Sequence, residues 1–215
     1  MCGLLFVRGE HASNGALALE KINHRGRDSF AEEFHPREQV YLGHRRLAIT
    51  GKNGRQPIWN KEKTVACLVN GQFYNARNES DYNFSTDTDS ELALAFYVKG
   101  GEDALRNLNG EFALVIWDTA KKKVIAMRDS FGVRPLKFYV AENNLIIASE
   151  AKSLEAFFDL SLDKSAVSET MSLQYIRQST TIFSGVEQVA PGETVIFDLA
   201  NGPVTFSRQK WFRLF

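Results

Sequence analysis

The 215-residue sequence predicts an α+β fold in which sheets are sandwiched by helices. Short apolar runs of strand length recur along the chain, and several are continuously apolar, as in strands that are covered on both faces. Helical patterns lie between the groups of strands, which favours layers of sheets and helices. A chain of this length buries about 70% of its unfolded surface in one core, so we expect a single domain over residues 1–215.

Six segments carry the strand pattern and four carry a helical pattern. The predicted strands are Tyr41 to Ile49, Thr64 to Val69, Phe112 to Trp117, Val124 to Arg128, Asn144 to Ser149 and Thr194 to Asp198. The predicted helices are Ala16 to Ile22, Leu92 to Val98, Glu102 to Leu108 and Asp163 to Ile176. The pattern alone does not indicate how the strands pair.

The second of these helices has recognisable ends. Thr88 and Glu91 have the spacing of a capping box, which predicts a helix start immediately before Leu92. Gly100-Gly101 follows the helical pattern and is expected to close the helix. Glu102 to Leu108 would then form a second, short helix.

The helix predicted over Asp163 to Ile176 has one apolar face. Val167, Met171 and Tyr175 lie on it at helical spacing. Such a stripe more often packs against the core than carries a function. We therefore expect this face to pack within the domain.

The charge balance and the hydropathy argue against several classes of partner. Lys+Arg and Asp+Glu both number 26, which gives no electrostatic argument for nucleic acid or an anionic membrane. No apolar run approaches the ~20 residues that a membrane helix needs. The apolar N-terminal run is short and lacks the basic start of a signal peptide, so we expect a cytoplasmic protein.

The cysteines and histidines show no pattern for a disulfide framework or a metal. Cys2 and Cys67 are too few for a framework, and Cys67 lies in an apolar run where a core thiol is expected. The four histidines have no metal-ligand spacing, and no Walker-type glycine loop is present. We therefore expect neither a metal nor a cofactor.

The cysteine at position 2 is the thiol that needs an explanation. The initiator methionine is generally trimmed when the next side chain is small, which would leave Cys2 with both a thiol and a free α-amine. Their ordinary pKa values, about 8.5 and about 7.7–8.0, are matched for proton transfer near neutral pH. A nucleophile activated by its own terminal amine is a known catalytic arrangement. Taken alone, however, the position favours a small apolar residue that starts a buried strand.

A series of short motifs follows Cys2 in a fixed order. They are His24-Arg25-Gly26, Gly43-His44-Arg45-Arg46-Leu47-Ala48-Ile49, Gln56-Pro57, Asn70-Gly71-Gln72-Phe73-Tyr74-Asn75, Ser85-Thr86-Asp87-Thr88-Asp89-Ser90-Glu91, Leu108-Asn109-Gly110-Glu111-Phe112-Ala113, Arg128-Asp129-Ser130-Phe131-Gly132-Val133-Arg134-Pro135-Leu136, Ala148-Ser149-Glu150-Ala151-Lys152 and Ala190-Pro191-Gly192. The series resembles the N-terminal glutaminase domain of the asparagine synthetases, which are class II glutamine amidotransferases. The resemblance covers the chain from Cys2 to about Trp211-Phe212.

The resemblance implies both a fold and a reaction. The fold is the four-layer αββα sandwich of the N-terminal-nucleophile hydrolases, with two stacked antiparallel sheets between helical layers. The reaction is attack of Cys2 on the side-chain amide of L-glutamine, release of ammonia and hydrolysis of the thioester to glutamate. The oxyanion donors that it implies are the Asn70 side-chain amide and the Gly71 backbone N–H, and such a donor contributes roughly 2.7–4 kcal/mol elsewhere. Outside this series, an Asn-Gly pair is typical of a tight hairpin turn.

The resemblance also implies how glutamine is recognised. Arg46 matches the family's carboxylate-binding arginine, whose fork suits a carboxylate. Asp89 matches the aspartate that receives the α-ammonium group, and it could at the same time favour a helix N-terminus. Arg25 is expected to line the nucleophile pocket and to steady the Cys2 region.

Gln72 departs from the family pattern. The family usually has glutamate at this position, which gives Asn-Gly-Glu where this chain has Asn-Gly-Gln. Glutamine keeps the size and the hydrogen bonding of glutamate but removes a negative charge near the substrate ammonium group. We expect weaker glutamine binding rather than an inactive enzyme.

The partner implied by the resemblance is an ATP-dependent synthetase. In asparagine synthetases a second domain binds ATP through a Ser-Gly-Gly-x-Asp-Ser loop and consumes the ammonia, and this sequence contains no such loop. We expect a stand-alone glutaminase that docks on a synthetase subunit and has low activity without it. A separately expressed domain is the alternative. The ammonia acceptor and the oligomeric state stay open.

Two other functions also stay open. An N-terminal-nucleophile amidohydrolase with another substrate would keep the fold, but Arg46 together with Asp89 favours an α-amino acid. A catalytically silent domain that binds glutamine or a partner is favoured only by Gln72 and is disfavoured by the intact Cys2, Asn70 and Gly71. A papain-like protease is remote, because its nucleophile is not chain-terminal and it needs a dedicated histidine.

Overall fold

A computed structural model describes residues 1–49, 51, 53–77, 82–176, 179–200 and 202–213. The strands in this part of the chain are β1 (Gly3–Arg8), β2 (Ser29–His35), β3 (Val40–Arg46), β4 (Ile58–Trp59), β5 (Val65–Phe73), β6 (Gly110–Asp118), β7 (Lys123–Arg128), β8 (Lys137–Ala141), β9 (Asn144–Ala148), β10 (Val186–Gln188), β11 (Glu193–Asp198) and β12 (Thr205–Lys210). The α-helices are α1 (Gly15–Glu20), α2 (Glu91–Leu105) and α3 (Lys164–Leu173), and short 3-10 helices span Glu10–Asn14, Asn23–Arg25 and Ala151–Ala156.

The strands form two antiparallel sheets of six strands each. Sheet A has the order β10-β8-β9-β1-β3-β2, and sheet B has the order β12-β11-β7-β6-β5-β4. In sheet A, β1 pairs with β3 so that Gly3 lies opposite Arg45. In sheet B, β5 pairs with β6 so that Gly71 lies opposite Phe112. The first pairing places the residues before β1 beside those that follow β3.

Alternation along the strands divides the apolar side chains among three cores. Phe6 of β1 and Leu68 of β5 belong to the cluster between the sheets. Leu5 belongs to a second cluster, in which the outer face of sheet A packs under α1 and the 151–156 segment. Cys67 belongs to a third, in which the outer face of sheet B packs under α2. The layers therefore run helix, sheet A, sheet B, helix, which confirms the predicted αββα class.

The central strands and the break in α2 agree with the sequence predictions. All six predicted segments contain strands, with the largest shift at the end of β5, which is Phe73 instead of Val69. Both sheets are covered on both faces, which explains why these runs are continuously apolar. Within α2, Gly100 and Gly101 have non-helical backbone angles, and Gly101 has a φ of 66°. The predicted interruption is present there.

The predicted capping box at the start of α2 is wrong. The residue at the N-cap is Ser90, and its side chain forms no capping hydrogen bond. Glu91, which is 1% exposed, instead accepts hydrogen bonds from the backbone N–H groups of Ser85 at 2.9 Å and Thr86 at 2.7 Å. Its carboxylate therefore fastens the preceding loop to the helix instead of reaching back to Thr88.

The predicted packing of the apolar face of α3 is also wrong. None of the residues of this helix is buried, and Met171 and Tyr175 are 79% and 59% exposed. The helix is instead fixed at its start, where the side chain of Asp163 accepts a hydrogen bond from Ala166 N–H at 3.0 Å. Helical spacing of apolar residues therefore did not predict burial here. Among the described residues, no helix is long and apolar enough to cross a membrane.

Candidate active site

Cys2 lies immediately before β1, with its thiol on a pocket at one end of the sandwich. The side chain is partly buried, and Leu47 N–H donates to Sγ at 3.4 Å. Leu47 follows β3, so the pairing of β1 with β3 fixes the position of the sulfur. Met1 lines the same pocket and is 51% exposed.

The pocket is built from both sheets and from the loops that join them. Its lining residues are Met1, Cys2, His44, Arg46, Leu47, Ile49, Gly54, Gln56, Val69, Asn70, Gly71, Gln72, Thr88, Asp89, Ser90, Glu111 and Arg134. Six of the seven site residues predicted from the sequence are in this set, and the seventh, Arg25, lies behind Cys2. The described residues contain no cluster of His, Cys, Asp and Glu side chains that could hold a metal ion.

One edge of β5 forms part of the pocket wall. At one end of the β5–β6 pairing, Tyr74 N–H donates to Asn109 O at 2.8 Å, and at the other, Thr119 N–H donates to Thr64 O at 2.9 Å. Even-numbered residues of β5 therefore form the hydrogen bonds to β6. In an antiparallel pair, residues that form hydrogen bonds to the partner strand alternate with residues that do not. The odd-numbered residues of β5 therefore direct their N–H and C=O groups to the opposite edge.

That opposite edge is covered at every outward-pointing residue near the pocket except Gly71. Val69 N–H donates to Oε1 of Gln56 at 2.6 Å, and Phe73 N–H donates to Oδ2 of Asp89 at 2.6 Å. Gly71 lies between these two residues, so its N–H points to the same edge, and no acceptor for it in a loop or a side chain is found among the described residues. The edge thus has a single gap, and the gap opens on the pocket that Cys2 lines.

Asn70 supplies a second donor at the same place. Its side chain is 1% exposed, and its Nδ2 has no hydrogen-bond partner among the described residues. Buried polar atoms are usually paired, so an unpaired amide on a pocket needs an explanation. The adjacent Gly71 has a φ of 153°, and a Cβ there would lie 2.1 Å from Glu111 O, so only glycine fits. Two neighbouring residues that line the pocket, Asn70 and Gly71, thus each carry an N–H donor without a partner among the described residues.

Arg46 and Asp89 place opposite charges on this pocket. Arg46 ends β3, and Gly54 approaches it so closely that a Cβ there would lie 2.7 Å from its Nε. Asp89 is held by the hydrogen bond from Phe73 N–H and by its own carbonyl, which accepts from Leu92 N–H at 2.9 Å. A guanidinium and a carboxylate on one pocket can bind the two charges of an α-amino acid.

Arg25 contacts the backbone of Cys2 and is not among the residues that line the pocket. Its side chain is 5% exposed, its Nε donates to Cys2 O at 2.9 Å, and its Nη1 donates to Glu150 at 2.7 Å. His24 bonds the same carboxylate at 3.0 Å. Partial burial raises the pKa of Glu150, but the hydrogen bonds from Arg25 and His24 outweigh it, and the pKa is lowered overall. An ionised Glu150 thus fixes the arginine that holds the main chain of Cys2.

His44 joins the two sheets beneath the pocket. It is 2% exposed, and its Nε2 lies 3.1 Å from Val69 O, within donating distance. Burial lowers the pKa of His44 to about 4; the hydrogen bond to Val69 opposes this shift, and the charge of Arg46 adds to it. The ring is therefore neutral at neutral pH and acts as a fixed donor to Val69.

The turn after β7 contributes Arg134, a pocket residue that is not among the site residues predicted from the sequence. Asp129 is 1% exposed, and its carboxylate accepts hydrogen bonds at 3.0–3.2 Å from four backbone N–H groups, those of Phe112, Phe131, Val133 and Arg134. The turn carries Arg134 into the pocket, where it pairs with Glu111 at 2.5 Å. Adjacent Arg128 and Asp129 at the end of an apolar strand were the available sequence signal.

Gln72 lies on the pocket with an exposed side chain. Its partner across the β5–β6 pairing is Glu111, the carboxylate that pairs with Arg134. Glu111 is therefore already paired and does not supply an unmatched negative charge beside Gln72.

Residues 1–211 match a model of the glutamine amidotransferase domain. The chain belongs to this family. This glutamine amidotransferase domain is 34% identical, over 96% of its length, to glutamine-hydrolysing asparagine synthetase 1 of Bacillus subtilis. It is also 34% identical, over 83% of its length, to amidase chry2 of Gibberella zeae. It spans only 35% and 27% of these two relatives.

The fold is shared with a solved amidotransferase. The glutamine phosphoribosylpyrophosphate amidotransferase of B. subtilis superposes on 98% of this chain and 49% of its own, with a TM-score of 0.68. The sequences are 19% identical, so this likeness concerns the fold alone. It agrees with the αββα layering of the glutamine amidotransferase domain.

Proposed function

We propose that this domain hydrolyses the side-chain amide of L-glutamine to glutamate and ammonia, with Cys2 as the nucleophile after removal of Met1. The observation that carries the proposal is the pair of donors without partners, Asn70 Nδ2 and Gly71 N–H, on the pocket that holds the Cys2 thiol. A buried donor left unpaired costs about 1–3 kcal/mol. Donors of this kind stabilise an oxyanion that forms only during reaction.

The chemistry proceeds through a thioester. Cys2 Sγ attacks the carboxamide carbon, and the α-amine of the trimmed Cys2 takes the thiol proton and delivers it to the departing nitrogen, which leaves as ammonia. Water then attacks the thioester carbon, gives a proton to the same amine, and the C–S bond breaks. The thiolate regains that proton, and glutamate leaves. Both tetrahedral intermediates place their oxyanion on Asn70 and Gly71.

Two features support the reactive state of Cys2. Leu47 N–H, 3.4 Å from Sγ, is placed to donate to a thiolate. Arg25 holds the carbonyl of Cys2 at 2.9 Å, which restricts the main chain on which both the thiol and the new α-amine are carried. Cys67, by contrast, is fully buried, and burial raises its pKa far above the ordinary value, so it does not compete as a nucleophile.

Glutamine is recognised through its α-carboxylate by Arg46 and through its α-ammonium group by Asp89. The Asp89 carboxylate accepts only one hydrogen bond among the described residues, from Phe73 N–H, which leaves acceptor capacity for an ammonium group. Gln72 lies beside these residues without the negative charge that would add to this attraction. We expect it to weaken binding while leaving the chemistry intact.

We propose that the ammonia is consumed by an ATP-dependent, amide-forming partner, either a separate subunit or a further domain. The curated relatives, of which this chain spans about a third, are named as asparagine synthetases and as an amidase. The names of these relatives therefore do not identify the acceptor of the ammonia. A cytoplasmic location fits this role. Measuring glutaminase turnover with and without the candidate synthetase tests the partnership: we expect faster turnover with the partner, and equal rates would contradict it.

Release of glutamate and ammonia from L-glutamine by the Met1-trimmed chain tests the activity itself. We expect the two products in equal amounts and no turnover after Cys2→Ala. Arg46→Lys loses the planar fork and should raise the KM by about 10- to 150-fold, since a charged hydrogen bond contributes about 1.5–3 kcal/mol. Arg45→Lys is the matched control, because Arg45 pairs with Glu20 outside the pocket. Absence of glutamate release, or the same change in KM for both variants, would contradict the proposal.

A further inference from the structure

Gln56 has no part in the chemistry proposed above, yet it is 3% exposed and lines the pocket. Its side-chain Oε1 accepts from Val69 N–H at 2.6 Å, and its Nε2 donates to Val69 O at 3.2 Å. The side-chain amide thus forms both hydrogen bonds that a neighbouring strand would form. Gln56 takes the place of a strand at this point of the β5 edge.

Its place on that edge is next to the gap at Gly71. Ile58 of β4 pairs with Cys67, Gln56 covers Val69, and Gly71 is the next residue to point outward. Successive outward-pointing residues of a strand are about 6.6–6.8 Å apart. The covered edge therefore stops one position before the Gly71 N–H.

The Val69 carbonyl is the link between Gln56 and the two donors. It accepts hydrogen bonds from Gln56 Nε2 at 3.2 Å and His44 Nε2 at 3.1 Å. Because a peptide unit is planar, fixing this carbonyl also fixes the Asn70 N and Cα atoms, from which the Asn70 side chain and the Gly71 peptide extend. Gln56 therefore acts on the donors through one peptide plane.

We propose that Gln56 is a positioning residue for the oxyanion hole. The inference rests on the proposed glutaminase function. Oxyanion donors act when they lie about 2.7–3.1 Å from the developing charge, and a misplacement of about 1 Å can lower a rate by about 10²-fold. Glutamine itself is held by Arg46 and Asp89. Loss of the Gln56 amide therefore lowers kcat and leaves the KM for glutamine nearly unchanged.

The test compares Gln56→Met with Asn60→Leu. Asn60 is a matched control, because it is 6% exposed and its Oδ1 accepts from Val65 N–H at 2.9 Å, on the same edge of β5 but away from the pocket. Both substitutions remove the side-chain amide and keep much of its volume. We expect both to lower the Tm, and only Gln56→Met to lower kcat, by about 10- to 100-fold.

Gln56→Glu provides a second variant that keeps the size of the side chain. Its carboxylate can still accept from Val69 N–H but cannot donate to Val69 O, so kcat should fall for it as well. An unchanged kcat in the Gln56 variants, an equal fall in Asn60→Leu, or a change confined to KM would overturn the inference while leaving the proposed function standing. A wild-type trimmed chain that does not hydrolyse glutamine would overturn the proposed function and the inference with it.

Discussion

Replacing His44 by glutamine should make the stability of the domain less sensitive to acid. In the fold the pKa of His44 is lowered to about 4, chiefly by burial, whereas an unfolded histidine has a pKa of about 6.5. Between these values the unfolded chain binds a proton that the folded chain does not. The contribution of His44 to stability is therefore fully present above about pH 6.5 and is lost as the pH falls towards about 4.

The size of the effect follows from the difference in pKa. About 2.5 pKa units at about 1.36 kcal/mol each give a loss of about 3 kcal/mol across this window. A glutamine side chain does not titrate, and its Nε2 can take over the donation to Val69 O. The His44→Gln variant should thus lose about 3 kcal/mol less than the wild type on acidification.

Urea unfolding at a series of pH values between about 7 and about 4 measures this difference. The carboxylates titrate in both chains, so their contribution cancels when the two losses are subtracted. His11→Gln serves as the control, since the His11 side chain is 31% exposed and lies outside the pocket. Equal losses of stability in wild type and His44→Gln would refute the reasoning.

Three further predictions concern the strand that carries the proposed oxyanion donors. Asn70→Ala should lower kcat by about 10²–10³-fold, which steady-state kinetics measures. It should not lower the Tm in a thermal melt, because Nδ2 has no hydrogen-bond partner to lose. Gly71→Ala should destabilise the domain by more than about 1–3 kcal/mol, because its Cβ would lie 2.1 Å from Glu111 O at a φ of 153°. Equilibrium unfolding measures the change in the free energy of unfolding, and a wild-type value would contradict the prediction. Gln72→Glu should lower the KM for glutamine by restoring a negative charge beside the substrate ammonium group, and an unchanged KM would count against that role.

The predictable part of the fold was its covered centre. Strands such as β6 and β7 are apolar on both faces, so their run of residues identifies them without knowledge of their partners. Six strands were not predicted: β1 and β8 inside sheet A, and the four outermost strands, β2, β4, β10 and β12. The outermost strands are short or largely exposed, and their pairing depends on the neighbouring strand. Tertiary structure, and not the local sequence, therefore determines whether they form.

The sequence predicts the site residues that belong to motifs, but not the features of the site that depend on the fold. Cys2, Asn70 and Asp89 follow from motifs in the sequence, and the structure places all three on one pocket. The gap at Gly71 depends on the hydrogen-bond alternation of β5 and on the amide of Gln56, a residue distant in sequence. A pattern of residue types does not contain that geometry. For the same reason Glu91 was assigned to a capping box, although its carboxylate binds the loop before the helix.

Intact-mass analysis with the glutamine analogue 6-diazo-5-oxo-norleucine tests the central claim most directly. The thiolate of Cys2 would displace nitrogen from the protonated diazo group and form a thioether. The account predicts a chain without Met1 that gains one adduct, mapped to Cys2 and suppressed by excess glutamine, while Cys67, fully buried, stays unmodified. A chain that keeps Met1, or a trimmed chain that takes no adduct, would contradict the account.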